Sequence, residues 1–411
     1  MPPVSAPDPA NHTQTTVGVT AIFMSLQFVA FFLFQGMRTI IPLVLELVLG
    51  LAEDEVVTHW GLIYTAGLFA GFLTRMPMGV VADRFPRLRS LTLGTVLCVT
   101  ALLGILLTQN ILVIALAFGL LRAGIHVFPL VTRGFVRETD PRKHGRLNGL
   151  VIFSGNLGTL VGPVVMALFL DISLQVLVGG TAVLLVAFNI VMVTIVPPKT
   201  TFPAMTVGEQ VLTSLREIWK IKTIVSLFIT NGVLMGFFTS VQVPYARYVF
   251  GLSPGLIGLM VGAVQAFALG VVLVTGELTD RLGPRKLIVM GLATEGLAGG
   301  LLVLFPTNLA TYVMIQMMLQ GGSVIISTAS ITFFTLHVGK ATFTTSFGAA
   351  TSFFFLGSAV VPILAGEMYL VSPTSPFLVI FLTSIALTPV MFHLTRKAMV
   401  DQESNNSSPT Q

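Results

Sequence analysis

The chain has 411 residues, 54% of them hydrophobic and only 9% charged, with a mean hydropathy of +0.92. Soluble globular chains carry about 25% charged residues, so this deficit excludes a protein whose whole surface meets water. The net charge of +5 does not point to nucleic acid, because the basic residues are dispersed over short loops, and the single cysteine, Cys98, excludes an intrachain disulfide or a thiolate metal site.

In chain order, residues 1–16 are polar and lack Lys and Arg, unlike the basic start of a signal peptide, and are read as a tail. A bilayer-spanning helix needs about 20 mostly apolar residues. Six such stretches follow at 17–46, 56–82, 88–108, 111–136, 145–170 and 174–196, forming the first half, 17–196. Residues 197–222 form the longest connection. In it Val207, Val211, Leu215, Ile218 and Trp219 recur at helical spacing among Glu209, Arg216 and Glu217, which predicts an interfacial amphipathic helix. Six further stretches, 223–250, 255–279, 286–305, 308–337, 342–370 and 376–396, make the second half, 223–397. The Asn/Ser-rich end, 398–411, is expected to be a disordered tail. The predicted fold class is an all-α integral membrane protein of twelve spans.

The basic residues orient the spans. Eighteen of the 22 Lys and Arg residues fall in the loops after even-numbered spans or at the C-terminal end, and the opposite loops hold none outside the spans. The positive-inside rule makes the basic side cytoplasmic, with both termini there. The expectation is a multi-pass plasma membrane protein, embedded in lipid and acting as a monomer.

Two patterns recur at nearly one offset. Gly79-x3-Asp83-Arg84-x2-Arg87 returns 197 residues later as Gly276-x3-Asp280-Arg281, followed by Arg285-Lys286. Gly149-x8-Gly158-x3-Gly162-Pro163 returns 199 residues later as Gly348-x8-Gly357-x3-Val361-Pro362. Two patterns at one offset mean two related halves in tandem. With the charged phrase in both the 2–3 and 8–9 loops, the chain resembles the major facilitator superfamily. The resemblance implies two pseudo-symmetric six-helix bundles that rock about a central site. It also implies that Asp83 bridges to the start of span 11, Asp280 to the start of span 5, and that these clusters gate the cytoplasmic side. The first copy departs from the family pattern at Pro86 and Leu88, and the second inserts Pro284. The span-5 pattern is similar to a signature of proton-coupled drug exporters; as a bare pattern it also reads as a small-residue packing stripe.

Polar groups inside spans are costly and mark candidate sites. Arg122 lies 12 residues into the fourth span, roughly 18 Å along it. His126 is one turn further on the same face, a residue type that changes charge near neutral pH. The resemblance places a coupling Arg at the position of Arg122 and lines the central cavity with spans 1, 4, 7 and 10. On that basis Gln35 and Arg38, Gln242 and Tyr245, and Gln316 and Gln320 join Arg122 and His126 as candidates for substrate or proton binding. Arg38 reads equally as snorkelling to the outer surface. Arg75 is assigned to the cytoplasmic cluster, Trp60 and Tyr64 to the outer lipid interface, Trp219 to the inner one, and Glu295 to a packing or lipid-adjacent position.

The chain has no His-Glu-x-x-His, no phosphate-cradling loop ending Gly-Lys-Ser/Thr and no clustered metal ligands. No enzyme activity, cofactor or metal is expected. The predicted function is secondary active transport of a small molecule by alternating access, as proton-coupled export of an amphipathic compound. An uptake symporter or facilitator for an organic anion or other metabolite is the alternative, and a channel or membrane-embedded enzyme fits least.

Overall fold

The computed structural model describes residues 9–138, 144–170, 172–195, 206–220, 222–305, 308–337 and 343–407. The first half comprises α1 (Pro9–Leu47), α2 (Glu53–Arg84), α3 (Arg87–Leu107), α4 (Ile111–Glu138), α5 (His144–Leu170) and α6 (Leu174–Ile195). The connection carries α7 (Val207–Lys220). The second half comprises α8 (Lys222–Pro244) with a π-helical turn at Tyr245–Val249, α9 (Pro254–Leu282), α10 (Pro284–Leu304), α11 (Leu309–His337), α12 (Phe343–Ala359), α13 (Val361–Val371) and α14 (Ser375–Ser407). Span 11 is thus broken into α12 and α13, just before Pro362, whose missing N–H interrupts the helical ladder.

Twelve helices among the described residues are long and apolar enough to cross a bilayer, and they match the twelve predicted spans. The ends differ from expectation. α1 starts at Pro9, where a proline at the first helical position is favoured, and α14 runs to Ser407 because residues 390–407 contain no Gly or Pro to stop it.

The repeat is visible in the packing. α1 packs on α4 and α5, α2 and α3 on α4, and α3 on α6. The second half repeats these five pairings: α8 on α11 and α12, α9 and α10 on α11, and α10 on α14. The halves meet where α2 packs on α12 and α13, and where α5 packs on α9. Burial sorts the helices: the most apolar windows of spans 1, 4 and 7 are 72% buried, those of spans 6 and 12 only 22%. The former surround the centre and the latter face lipid.

The glycine pattern of α5 works by close approach. A Cβ on Gly158 would stand 2.2 Å from Phe28 O, and one on Gly162 2.3 Å from Phe32 O, so α5 lies on the bare backbone of α1. Gly357 repeats this on α8, 2.4 Å from Ile229 O. The packing surroundings of Gly149 lie outside the described residues. A further repeat was not anticipated: Gly94, Cys98 and Gly124 interlock α3 with α4, and Gly291, Glu295 and Gly322 do the same for α10 and α11. Glu295 therefore occupies a helix–helix contact and is 2% exposed, which rules out the lipid-adjacent option.

Candidate functional site

Four helices of the apolar spans carry buried polar side chains. α1 supplies Gln27, Gln35 and Arg38, α4 supplies Arg122 and His126, α8 supplies Gln242, and α11 supplies Gln316 and Gln320; none is more than 8% exposed. Arg38 Nη2 donates to Gln242 Oε1 at 3.1 Å, joining the two halves. Arg38 thus points inward, and the snorkelling alternative is set aside. The Arg122 guanidinium lies 3.6 Å from the centre of the Phe34 ring and 4.9 Å from that of Phe355. His126 packs its ring on Phe355 at 4.9 Å. Tyr245 falls elsewhere: it stacks on Tyr312 at 4.8 Å, within an aromatic cluster that includes Tyr369 and Phe377.

The electrostatics of this group are one-sided. Among the described residues no carboxylate pairs with Arg38, Arg75 or Arg122; the pairs Glu46–Arg247 and Glu277–Arg281 lie elsewhere. A buried guanidinium without a counter-ion is costly, and the aromatic faces around Arg122 offset only about 2 kcal/mol of that. Several buried groups on these four helices also have unused polar atoms. Gln27 Oε1, Gln35 Nε2, Arg122 Nε, His126 Nδ1, Gln242 Nε2, Gln320 Oε1 and both amide atoms of Gln316 have no hydrogen-bond partner among the described residues. Buried polar atoms are normally paired; the unpaired set holds both donors (Gln35 Nε2, Arg122 Nε, Gln242 Nε2, Gln316 Nε2) and acceptors (Gln27, Gln316 and Gln320 Oε1), so these atoms can serve a solute that offers both kinds of partner, with Arg122 suited to a negative charge.

Contacts between the halves close this group off toward the odd-numbered loops. Glu46, at the end of α1, and Arg247, on the π-helical turn after α8, form a two-pronged pair with N–O distances of 2.7, 2.8 and 3.0 Å. Trp60 Nε1 donates to Ser240 O at 2.9 Å, and Tyr64 shares a hydrogen bond with Thr239 at 3.0 Å. Both rings are buried, so the lipid-interface assignment of Trp60 and Tyr64 is corrected: their polar tips reach the other half, not headgroups. Sequence reasoning missed Arg247; the available signal was opposite charge at the ends of the corresponding spans 1 and 7.

On the basic side, Asp83 Oδ2 accepts from Thr345 Oγ1 at 2.8 Å, in the first turn of α12, and from Gln210 Nε2 of α7 at 3.0 Å. Arg84 Nε donates to Gln210 Oε1 at 3.2 Å. Gly79 is buried, and Arg87 is buried with its guanidinium 5.2 Å from the Phe135 ring. Arg133 covers Phe347 at 4.1 Å. Arg75 donates to Thr351 Oγ1 at 2.7 Å, so it bonds to span 11 instead of joining the charged loop. The second copy of the phrase makes more local contacts. Arg281 pairs with Glu277 on its own helix, and Arg285 lies 3.8 Å over Phe392 of α14. Among the described residues a Cβ on Gly276 would meet nothing within 4 Å. The Asp280 side chain lies outside the described residues. Sequence reasoning also missed Gln210, since a neutral residue in a loop helix carries no signal by itself.

The family model of the Major Facilitator Superfamily matches residues 23–243 and 237–410. Tetracycline resistance protein, class C, from Escherichia coli is 26% identical over 282 residues, 62% of this chain. The match spans 66% of that relative's length. A bacterial homologue of the human lysosomal transporter Spinster, inward-facing and unoccupied, has a TM-score of 0.70 at 13% identity, over 94% of this chain and 98% of its own. The human organic anion transporter MFSD10 has a TM-score of 0.72 at 13% identity, over 92% and 98%. The nucleoside transporter NupG has a TM-score of 0.69 at 15% identity, over 92% and 99%. At these identities the structural likeness speaks to the fold.

Proposed function

The chain belongs to the Major Facilitator Superfamily and is a membrane transporter, not an enzyme; from that premise we propose that it exports an amphipathic organic compound bearing negative charge, by proton-coupled alternating access. The observation that carries this reading is Arg122, buried in mid-membrane between Phe34 and Phe355 with no carboxylate partner among the described residues. A solute with an anionic group would pair with Arg122 and lay its apolar part on the two rings, while its other polar groups, donors as well as acceptors, would serve the unpaired Gln amides of the same spans. The contacts around Glu46–Arg247 and those around Asp83 are the two closures that would open in turn.

Export draws support from the glycine pattern of α5 and from the similarity to the tetracycline resistance protein, which also makes tetracycline a sensible first probe. His126, one turn from Arg122, is the proposed proton carrier: its charging and the arrival of an anion at Arg122 act on one local field. The distribution of basic residues supports a cytoplasmic placement for both termini and for the Asp83 closure. Uptake of an organic anion is the second reading, favoured by the same uncompensated Arg122. Reconstituted vesicles with an imposed pH gradient separate the two. Accumulation in inverted vesicles with an acidic lumen supports proton-exchange export. Accumulation in right-side-out vesicles in an acidic medium supports symport, and indifference to the gradient refutes proton coupling.

A further inference from the structure

We propose that α7 is a membrane-anchored latch on the inner closure, holding it shut through Gln210 while its opposite face rests in the anionic inner leaflet. The helix is started firmly. Thr206 N–H donates to Glu209 Oε2 at 2.8 Å and Glu209 N–H donates to Thr206 Oγ1 at 3.3 Å, a reciprocal cap at its N-terminus. That start sets the helical phase. Gln210, Ser214 and Ile218, spaced by four, form the buried face.

Gln210 uses both ends of its amide at the junction of the halves. Its NH2 donates to Asp83 Oδ2 and, at 2.7 Å, to Thr345 Oγ1, while its carbonyl accepts from Arg84. Two turns further on, Glu217 Oε2 accepts from Ser346 Oγ at 3.2 Å. The helix therefore bonds to the last turn of α2 and the first turn of α12 at once. Opening the inner closure separates those turns, so it must break the Gln210 bonds on at least one side.

The other face is apolar and uncovered. Leu212, Leu215 and Trp219 follow the i, i+3, i+7 stripe and are 57%, 40% and 62% exposed. They lie opposite the docked stripe, on a helix bonded to the last turn of α2 and the first turn of α12. Arg216 and Lys222 are exposed near this stripe. Apolar side chains flanked by cations fit an anionic phospholipid surface. The latch rests on the alternating-access reading, because it needs an inner closure that opens.

The test uses full-length protein in vesicles, with Cys98→Ala and a reporter cysteine replacing Ala350, which is buried further along α12 than Thr345. An impermeant maleimide is applied from the cytoplasmic side. Gln210→Ala is expected to raise the labelling rate about tenfold, the scale of losing a shared set of buried hydrogen bonds. Leu215→Ser with Trp219→Ser, which leaves the gate contacts in place, is expected to raise it severalfold. Asp83→Asn is the control: if it raises labelling and Gln210→Ala does not, the latch is overturned; if neither does, the alternating-access reading fails. In parallel, brominated phosphatidylglycerol should quench Trp219 fluorescence more than brominated phosphatidylcholine, with the difference lost in Trp219→Phe. Equal quenching by both lipids, or none that depends on Trp219, overturns the lipid-bound face.

Discussion

Replacing Glu46 by Gln should open the outer closure. The Glu46–Arg247 pair has three N–O contacts between 2.7 and 3.0 Å, and its side chains are 21% and 23% exposed. Exposed pairs are worth about 0–1 kcal/mol and breaking a fully buried one costs about 3–5 kcal/mol. A pair one-fifth exposed falls low in that interval, and we take ~1–2 kcal/mol after allowing for solvent screening. That energy is present only while the ends of α1 and α8 are together, so losing it should favour the outward-open state by roughly 5- to 30-fold. Gln is chosen because it keeps the shape and one acceptor, and because Arg247 also donates to Leu252 O at 2.9 Å, which should stay intact. Spin labels at the exposed positions Val48 and Leu256 report the separation of the halves as a distance distribution. The variant should move population to the longer distance, and a cycle with Arg247→Gln should give a coupling of about 1–2 kcal/mol. An unchanged distribution, or a coupling near zero, would refute the assignment of this pair to the closure.

Asp83→Asn should cripple transport while leaving membrane insertion intact, because the charged acceptor for Thr345 and Gln210 is lost; normal transport rates would sink its gating role. Gly158→Ala forces a Cβ toward Phe28 O and should cost at least ~1–3 kcal/mol in the melting of detergent-solubilised protein. Gly270→Ala, with nothing within 4 Å among the described residues, is the matched control and should be nearly silent. His126→Gln should keep substrate binding but uncouple it from the pH gradient, measured as binding-induced melting shifts against gradient-driven flux. A variant still driven by the gradient would exclude His126 as the proton carrier.

The span count was legible because bilayer thickness fixes helix length and basic residues alternate across it, two constraints that are each coarse but agree. The two-fold packing was legible through the repeated glycine patterns, since close helix approach demands a bare backbone at Gly158, Gly162 and Gly357. The buried polar side chains of spans 1, 4, 7 and 10 were legible because polar side chains in mid-span are rare enough to stand out. What stayed hidden were the contacts between halves other than Asp83 to the start of span 11. Trp60 meets a backbone carbonyl, that of Ser240, which no residue type announces. Its aromatic ring with a polar tip is equally the signature of a lipid interface, so composition alone favoured the wrong surroundings. Gln210 reaches residues 127 and 135 positions away along the chain, and nothing in the local pattern of α7 distinguishes it from any polar position. Arg247 sits in the end of a span, and only its pairing with the opposite charge of Glu46 at the end of the corresponding span 1 sets it apart.

The most direct test of the central claim, that Arg122 receives a negatively charged group of the transported compound, is a matched-pair binding measurement. An amphipathic aromatic carboxylate and its neutral amide are titrated against purified protein and the Arg122→Gln variant, with melting shift as the readout. The native protein should prefer the carboxylate by about tenfold or more, as expected for one charge-assisted contact of ~1.5–3 kcal/mol, and the variant should lose the preference while retaining weak binding of both. Equal affinity of the native protein for the two compounds, or an undiminished preference in Arg122→Gln, would contradict it.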